Sequence, residues 1–526
     1  MGVSSSSHNK WRRELPNPKN NARLDRVPTW HILMIILFIA FVLRLILVFQ
    51  PEVIHNDGIE YIRHAKEVLT GNWTGGESSP LYPTLIAMAY SFTENFELAG
   101  IWVSVIFGTL LVIPVFYLGK EIFSKGVGGI SGLVVAVHPV LHSASGSVLT
   151  ESTYHFFIAT SVLFGWLAFH KGKFYSILLF SLFVSLAFLT KPEAIGFLLI
   201  FSAWVLFFNP PKRKRYWVRR TVMILVAIFA FFAFSSPYLI RLREETGKWS
   251  ISKKVNVTIG SFSEMENITS LDESPFDREG LSLLSFIKDP LSQWVRVGTG
   301  LLKSFYTFQQ AFNPLLSFFA VIGWIGIIRN RSWYSLKANF YILTYHFFFF
   351  GFVFSIFFIS KRYTSQMVSI SIPWAAFGFY MFLEWVHQRW DFFKKKEIFI
   401  KILVVLLLMA LFVQGRVIRP REHRIIQKEV GLWMKDHLPR GMKIMSRRPQ
   451  EAFYAELPWL KIHQENVEEI LREGRSNGVK YLIIDEGIEK DLPDLWEKTE
   501  DKDLILLKEF QKKNQRLVLF EMVYPE

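Results

Sequence analysis

Apolar runs long enough to cross a lipid bilayer recur between residues 30 and 415, and they constrain the fold more than any other feature. A helix needs about 20 apolar residues to span the hydrocarbon core of a bilayer. The first run has no small-residue cleavage site after it, so it is predicted as a helix rather than a signal peptide. The eleven predicted spans are residues 30–49, 98–118, 127–143, 149–169, 174–190, 194–208, 221–239, 312–328, 339–359, 365–385 and 398–415.

Composition excludes several other classes of protein. Of the 526 residues, 51% are hydrophobic and only 20% are charged, which is too apolar for a soluble multidomain enzyme or a largely disordered chain. A net charge of +15 would suggest nucleic-acid binding in a soluble protein. Here the Lys and Arg residues lie mostly in short clusters between the spans, so we expect no nucleic-acid partner. The absence of cysteine excludes disulfides and cysteine metal sites.

The basic clusters predict how the chain is oriented in the membrane. Cytoplasmic loops are enriched in Lys and Arg. With a cytoplasmic N-terminus, every dense basic cluster between spans falls on the cytoplasmic side, and eleven spans place the C-terminus outside. The clusters are Lys120 with Lys125, Lys171 with Lys173, Lys212–Arg215 with Arg219 and Arg220, Arg329 with Arg331 and Lys337, and Lys394–Lys396. We therefore expect a multi-pass protein of the cytoplasmic membrane.

Three predicted regions follow from this pattern. Residues 1–29 form a cytoplasmic tail, and residues 30–418 form the transmembrane domain, with long outer loops at 51–97 and 240–311. Residues 419–526 change in composition and alternate helix-like and strand-like stretches, with strands at 442–445, 479–484 and 516–522. This alternation predicts a small extracytoplasmic α/β domain.

Two acidic clusters lie at the predicted outer ends of spans. Asp57, Glu60 and His64 are spaced so that a helix would place them on one face, and Glu151 opens the fourth span. Ionisable residues at membrane ends are costly, so they are candidates for function. A solvated juxtamembrane helix is the alternative for the first cluster, and helix capping is the alternative for the second.

Two cations lie on the same predicted face. Lys191 ends the fifth span, against the tendency of basic residues to be cytoplasmic, and Arg362 precedes the tenth. Acids that activate a nucleophile and cations that hold a phosphate together suit transfer from a lipid-phosphate donor. Either cation alone also fits a headgroup anchor. His138 and His142 have zinc-like spacing but no third ligand nearby.

At these residues the chain resembles the GT-C membrane glycosyltransferases, and among them the protein-O-mannosyltransferase-like family 39, which includes bacterial lipid A aminoarabinose transferases. The resemblance extends from the first span to about residue 385, with an outer C-terminal module after it. The matching residues are Asp57, Tyr61, Ala65, Pro80–Pro83, Thr150, Glu151, Thr190, Lys191, Lys361–Tyr363 and Pro373. Many members have Asp-Glu in the first outer loop, whereas this chain has Asp57 followed by Gly58.

The resemblance implies a GT-C fold and an inverting transfer of a sugar from a polyprenyl-phosphate carrier to a protein, lipid or glycan acceptor outside the membrane. We predict that Asp57 is the general base and that Lys191 and Arg362 neutralise the departing lipid phosphate. Glu151 would orient the acceptor or, with Asp57, bind a divalent Mg, Mn or Zn ion. The supporting residues are predicted to be Glu60, Tyr61, Tyr82 and Tyr363.

Two other functions stay open at this point: a lipid-linked-sugar flippase or transporter, and an inactive scaffold of the same fold. Inverted repeats and broken helices would favour the transporter, and the sequence shows no repeat. For the enzyme we predict an apolar groove for the isoprenoid tail, open sideways to the membrane, with the four charged residues at its outer mouth. That requires Lys191 and Arg362 to lie within about 20 Å of each other. The predicted groove walls include Trp324, Phe347–Phe350, Phe357 and Trp374.

Overall fold

The structure is a computed structural model that describes most of the chain. The described residues are 27–49, 53–71, 78–208, 214–252, 290–330, 333–354, 360–389, 397–417, 425–462, 466–486, 488, 503–512 and 515–523. The predicted groove residue Phe357 and nearly all of the predicted tail lie outside these ranges.

In the first four fifths of the chain, the described elements are all helical. They are α1 (Thr29–Val48), α2 (Asn56–Leu69), α3 (Leu81–Thr93), α4 (Phe96–Leu110), α5 (Val112–Ile122), α6 (Lys125–Val137), α7 (Pro139–Ser145), α8 (Glu151–Lys171), α9 (Phe174–Phe188), α10 (Ile195–Phe207), α11 (Lys214–Thr246), α12 (Pro290–Phe312), α13 (Pro314–Asn330), α14 (Trp333–Phe348), α15 (Lys361–Thr364), α16 (Val368–Arg389) and α17 (Glu397–Val417). A π-helix, Phe349–Phe354, follows α14, and 3₁₀ turns at Pro192–Ala194 and Ser365–Met367 precede α10 and α16.

Within the described residues, five helices are long and apolar enough to cross a membrane, or seven if each of two bent helix pairs is one span. Three shorter apolar helices cover Phe174–Phe188, Pro192–Phe207 and Ile402–Gln414. This agrees with the predicted helical, multi-pass class. The count of eleven spans stays a prediction.

Proline explains the two bends. The α6–α7 pair bends by 54° where His138 precedes Pro139, because a residue before proline is disfavoured in the helical conformation. The α12–α13 pair bends by 104° at Asn313, which has a left-handed φ of 81° before Pro314. The predicted outer loop 240–311 thus includes most of α12, and the bend at Asn313 separates α12 from the apolar helix α13.

The predicted first outer loop contains two helices. The helical spacing of Asp57, Glu60 and His64 falls on α2, and the Pro-Leu-Tyr-Pro segment opens α3. Proline is tolerated in the first turn of a helix, where its missing N–H has no partner to lose. The Leu81 N–H donates to Leu189 O (2.9 Å), which ties the start of α3 to the end of α9.

The described residues between 425 and 523 form helices and a five-stranded sheet. The helices are α18 (Ile425–His437), α19 (Gln450–Ala455) and α20 (Val467–Ser476), and the strands are β1 (Lys443–Ser446), β2 (Trp459–Lys461), β3 (Val479–Asp485), β4 (Leu504–Lys512) and β5 (Gln515–Met522). The sheet has the order β2-β1-β3-β5-β4, with β2, β1 and β3 parallel and β5 antiparallel to both of its neighbours. Strands β2 and β4 were not predicted.

Buried side chains of β3 point alternately to the two faces of the sheet, and each face has its own apolar cluster. Leu482 and Ile484 pack on one face with Ile470 of α20, whereas Tyr481 and Ile483 pack on the other face with α18. Successive strand residues point to opposite sides, so both faces of β3 are covered by a helix.

Candidate functional site

The four charged residues predicted to act together form one continuous ion-paired cluster. Arg362 Nη1 lies 2.6 Å from Asp57 Oδ2, and Arg362 Nε lies 2.5 Å from Glu151 Oε1. Lys191 Nζ donates to the same Glu151 oxygen at 3.0 Å. Since Lys191 and Arg362 contact one oxygen atom, they are close enough for a shared phosphate, as the sequence reasoning required.

Four helix ends bring these side chains together. Asp57 lies in the first turn of α2, and Glu151 opens α8, positions where an acid is favoured by the positive end of the helix dipole. Lys191 is an extended residue (φ −148°) between α9 and the turn that begins at Pro192. Arg362 lies in α15, which Ser360 caps by accepting a hydrogen bond from the Tyr363 N–H. Each residue is local to its helix end, but the four ends meet only in the tertiary structure.

Exposure falls from one end of the cluster to the other. The side chain of Asp57 is 48% exposed and that of Arg362 31%, whereas Lys191 is 11% exposed and Glu151 4%. Burial by itself lowers the pKa of Lys191, but the carboxylates of Glu151 and Glu193 together outweigh it and hold that pKa above its ordinary value. The cluster therefore has a buried, charged floor and an accessible carboxylate at its rim.

Glu151 keeps one oxygen unused. Oε1 accepts from both cations, while Oε2 is buried and has no hydrogen-bond partner among the described residues. A buried, unpaired carboxylate oxygen is costly, which makes it a natural acceptor for a hydroxyl that enters the site.

Aromatic rings enclose the lysine. Lys191 Nζ lies 5.5 Å from the ring centre of Tyr154 and 5.4 Å from that of Tyr363. Cation–π contacts at this range favour the charged amine. Of the four predicted supporting residues, Tyr363 thus lies directly against the cluster.

Tyr61 and Tyr82 form the packed support beneath it. Both are buried and meet edge to face with 5.3 Å between ring centres. The Tyr82 hydroxyl donates to Gly100 O (3.2 Å) and lies 2.9 Å from Ser104 Oγ. Burial raises the pKa of both phenols, so they stay neutral.

Glu60 does not join the cluster. It pairs with Arg63 and His64 on its own helix, and the hydrogen bond with His64 lowers the pKa of Glu60 to about 2. The spacing of Asp57 and Glu60 placed them on one face, but Asp57 turns to Arg362 on another helix while Glu60 is satisfied locally.

Packing at Gly58 explains why no second acid follows Asp57. A Cβ at this position would lie 2.8 Å from Val148 O and 2.9 Å from Ile54 Cγ1. A backbone carbonyl so close leaves no room for a carboxylate side chain. The departure from the family's Asp-Glu pattern is therefore built into how α2 packs.

These carboxylates do not fit a divalent metal ion. Arg362 lies between Asp57 and Glu151, the predicted ligands, and bonds to an oxygen of each. The described residues contain no group of three or more His, Asp or Glu side chains placed to hold a metal. His138 and His142 contact main-chain oxygens instead, those of Phe312 and Leu43. Two cations, Lys191 and Arg362, already balance the two acids.

Sequence reasoning overlooked two other polar features. Arg44, in the last third of α1, is fully buried and donates to Ser145 Oγ (3.0 Å) and to Val135 O (2.9 Å) near the end of α6. Its position inside an apolar span was a signal that could have identified it. The second feature, contacts of Gln450 and Tyr454 with the segment before Asp57, joins residues about 400 positions apart, and nothing in the sequence signals it.

Comparison with known proteins gives one family match. Residues 77–240 match the sequence model of the family described as dolichyl-phosphate-mannose-protein mannosyltransferase. No curated protein matches the chain by sequence.

Solved structures resemble most of the chain. ArnT from Cupriavidus metallidurans bound to undecaprenyl phosphate is 12% identical with a TM-score of 0.58, over 93% of this chain and 98% of that one. The Archaeoglobus fulgidus oligosaccharyltransferase in the apo form is 13% identical with a TM-score of 0.58, over 87% of this chain and 69% of that one. At such identities the likeness shows the fold. Together with the family match, it confirms the resemblance that the sequence motifs indicated.

Proposed function

We propose that this protein is a GT-C glycosyltransferase that transfers a sugar from a polyprenyl-phosphate donor to an acceptor hydroxyl. The observation that carries this proposal is the cluster in which Arg362 joins Asp57 to Glu151 while Lys191 contacts Glu151. Acids and cations are there within reach of one another, at converging helix ends. The family match and the ArnT bound to undecaprenyl phosphate support a lipid-phosphate donor. The positive-inside pattern supports an extracytoplasmic reaction.

In the proposed reaction Asp57 removes the proton from the acceptor hydroxyl. The acceptor oxygen then forms a bond to the anomeric carbon on the face opposite the leaving group. The bond between that carbon and the phosphate oxygen breaks, and its electron pair stays on the polyprenyl phosphate. Inversion follows from the single displacement. Asp57, as the exposed member of the cluster, is the carboxylate that an acceptor can reach.

Lys191 and Arg362 neutralise the phosphate as its charge develops. Both are engaged with carboxylates when no donor is bound, so the phosphate must compete for them. An arriving phosphate that draws Arg362 away frees the Asp57 carboxylate, which couples donor binding to release of the base. The unpaired Glu151 Oε2 is placed to accept a hydrogen bond from the sugar or the acceptor. The apolar groove predicted for the isoprenoid tail is part of this proposal.

Purified protein incubated with labelled undecaprenyl-phosphate sugars tests the proposal. Transfer, or slow hydrolysis of the donor, is expected. The bent pairs α6–α7 and α12–α13 are the kind of broken helix that transporters use, so movement of the donor across a vesicle membrane without cleavage would instead mark a transporter. Neither cleavage nor movement would mark a scaffold.

The Asp57→Asn variant tests the base. General-base assistance contributes about 10²–10⁴-fold, so turnover should fall by roughly that factor while undecaprenyl phosphate still binds. The matched control is Glu67→Gln, which removes a carboxylate from the same helix that pairs only with Arg63 among the contacts described. Full turnover by Asp57→Asn would remove Asp57 from the role.

A further inference from the structure

Side chains of the C-terminal α/β unit form hydrogen bonds with the segment that precedes Asp57. The Ile54 N–H donates to the Tyr454 hydroxyl at 2.9 Å, and the Ile54 carbonyl accepts from Gln450 Nε2 at 3.2 Å. Gln450 Nε2 also donates to Asn56 Oδ1. Both main-chain polar groups of a residue three positions before Asp57 are therefore held by side chains of one helix, α19.

The side chains that make these hydrogen bonds are buried, and one of them has a further partner. Gln450 is fully buried and Tyr454 is 6% exposed, within an apolar cluster that includes Val53, Ile54 and Tyr61. The Tyr454 hydroxyl accepts from Ile54 and donates to Glu97 Oε1 at 2.8 Å. Buried hydrogen bonds are electrostatically stronger than those at the surface, so they hold the geometry of this segment more strictly.

A cation completes the anchor. Lys428 of α18 lies 3.4 Å from Glu97 Oε2 and 4.7 Å from the ring centre of Tyr454. Two helices of the C-terminal unit, α18 and α19, thus meet α4 and the entry to α2 at one point. We name the contacts of Gln450 and Tyr454 with residues 54–56 the α19 clamp.

The α19 clamp acts on the base through the backbone. Asp57 is in the first turn of α2, directly after the clamped residues, and its side chain is the most exposed of the ion-paired cluster. Gly58 then packs against Val148 O, so α2 is fixed on the far side of Asp57 as well. The first turn of α2 is held from both directions, and Asp57 lies between the two contacts.

We infer that Gln450 and Tyr454 are positioning residues for the reaction: the α19 clamp holds the Asp57 carboxylate in line with the acceptor. This inference rests on the proposed function of Asp57. It assigns the C-terminal unit a part in turnover through Asp57, because Lys191 and Arg362 lie on other elements and their described ion pairs do not include Gln450 or Tyr454. A misplacement of about 1 Å can lower a rate on the order of 10²-fold.

The test uses the full-length protein with Tyr454→Phe and Gln450→Met, singly and together. Both variants keep side-chain volume and remove only the polar contacts. The matched control is Trp459→Phe, whose indole donates to Ser446 O (3.2 Å) and Ser446 Oγ (3.0 Å) within the same unit and away from residues 53–57. Three quantities are measured: kcat, the Kd for undecaprenyl phosphate, and hydrogen exchange of the peptide covering residues 53–60.

The double variant is expected to lose on the order of 10- to 100-fold in kcat. Its Kd for undecaprenyl phosphate should stay within about twofold of the wild type, and exchange at 53–60 should accelerate on the order of tenfold. The control should change none of the three. An unchanged kcat in the double variant overturns the inference. A fall in kcat together with an equal fall in affinity for undecaprenyl phosphate also overturns it, because that pattern marks a general structural defect.

Failure of the proposed function gives a different result. In that case the wild type itself transfers no sugar, and the α19 clamp is judged by hydrogen exchange alone. Faster exchange at residues 53–60 in the double variant supports the clamp, and unchanged exchange overturns it.

Discussion

Glu151→Gln is expected to destabilise the lipid-free protein and, at the same time, to strengthen its binding of polyprenyl phosphate. Glu151 Oε1 lies 3.0 Å from Lys191 Nζ and 2.5 Å from Arg362 Nε. The substitution leaves two cations around a neutral amide. Lys191 is only 11% exposed, so water cannot replace the lost carboxylate well.

The magnitude follows from the burial of the pair. Removing one partner of a buried ion pair costs about 3–5 kcal/mol. Arg362 keeps its contact with Asp57, which places the expected loss at the lower end, about 3 kcal/mol. A lipid phosphate restores the missing charge without having to displace Glu151. Its affinity should therefore rise by about tenfold, the equivalent of about 1.4 kcal/mol.

Unfolding in detergent, with and without undecaprenyl phosphate, measures both effects. A ligand at about 100 times its Kd stabilises a protein by about 2.7 kcal/mol, so the ligand shift should be larger in the variant at equal lipid concentration. The control is Glu121→Gln, which breaks an exposed 2.9 Å pair with Lys171 and should cost about 0–1 kcal/mol. If Glu151→Gln unfolds like the wild type and shows the same ligand shift, the two cations are not held by Glu151 and the competition argument is wrong.

Three further outcomes follow from the same structure. Gly58→Ala should destabilise the protein by about 1–3 kcal/mol in equilibrium unfolding, because its Cβ would lie 2.8 Å from Val148 O. Gly129→Ala should not, because the nearest neighbour of its Cβ would be 3.9 Å away. Equal stability of the two variants would contradict the packing argument. Dialysis against EDTA should leave sugar transfer unchanged, and loss of transfer that Mg, Mn or Zn restores would refute the assignment of Arg362 as the bridge between the acids. Glu60→Gln should reduce the loss of unfolding free energy at acid pH. The pKa of Glu60 is about 2 in the folded protein against 4.5 ordinarily, so Glu60 contributes stability above pH 4.5 that is lost between pH 4.5 and about 2. An unchanged dependence of stability on pH would count against its pairing with His64.

Much of the candidate site could be read from the sequence because polar residues are rare at the ends of apolar spans. A charged side chain at a membrane boundary costs free energy, so it is a candidate for function. This reasoning identified Asp57, Glu151, Lys191 and Arg362. Their common side followed from alternation of the spans. Contact between them could not follow, since it depends on which helices pack together.

Local spacing did not determine which partner each acidic side chain contacts. Glu60 has Arg63 and His64 within one turn and is satisfied there, whereas Asp57 has no such neighbour and reaches Arg362. The predicted metal site stays a prediction, and the structure gives its two acids a different contact. Two acids at converging helix ends suggest a cation, and the cation that the fold supplies is the guanidinium of Arg362.

The sequence by itself determined that the chain is a multi-pass helical protein, which residues interrupt its apolar spans, and where its composition changes to an α/β unit. These are consequences of chain length and residue type, which act locally. Only the tertiary structure decided that one arginine joins two acids 94 positions apart, that Val148 leaves no room beside Gly58, and that α19 holds the entry to α2. Such contacts depend on distances of a few ångströms between segments far apart in the chain, and hydropathy and spacing carry no information about them.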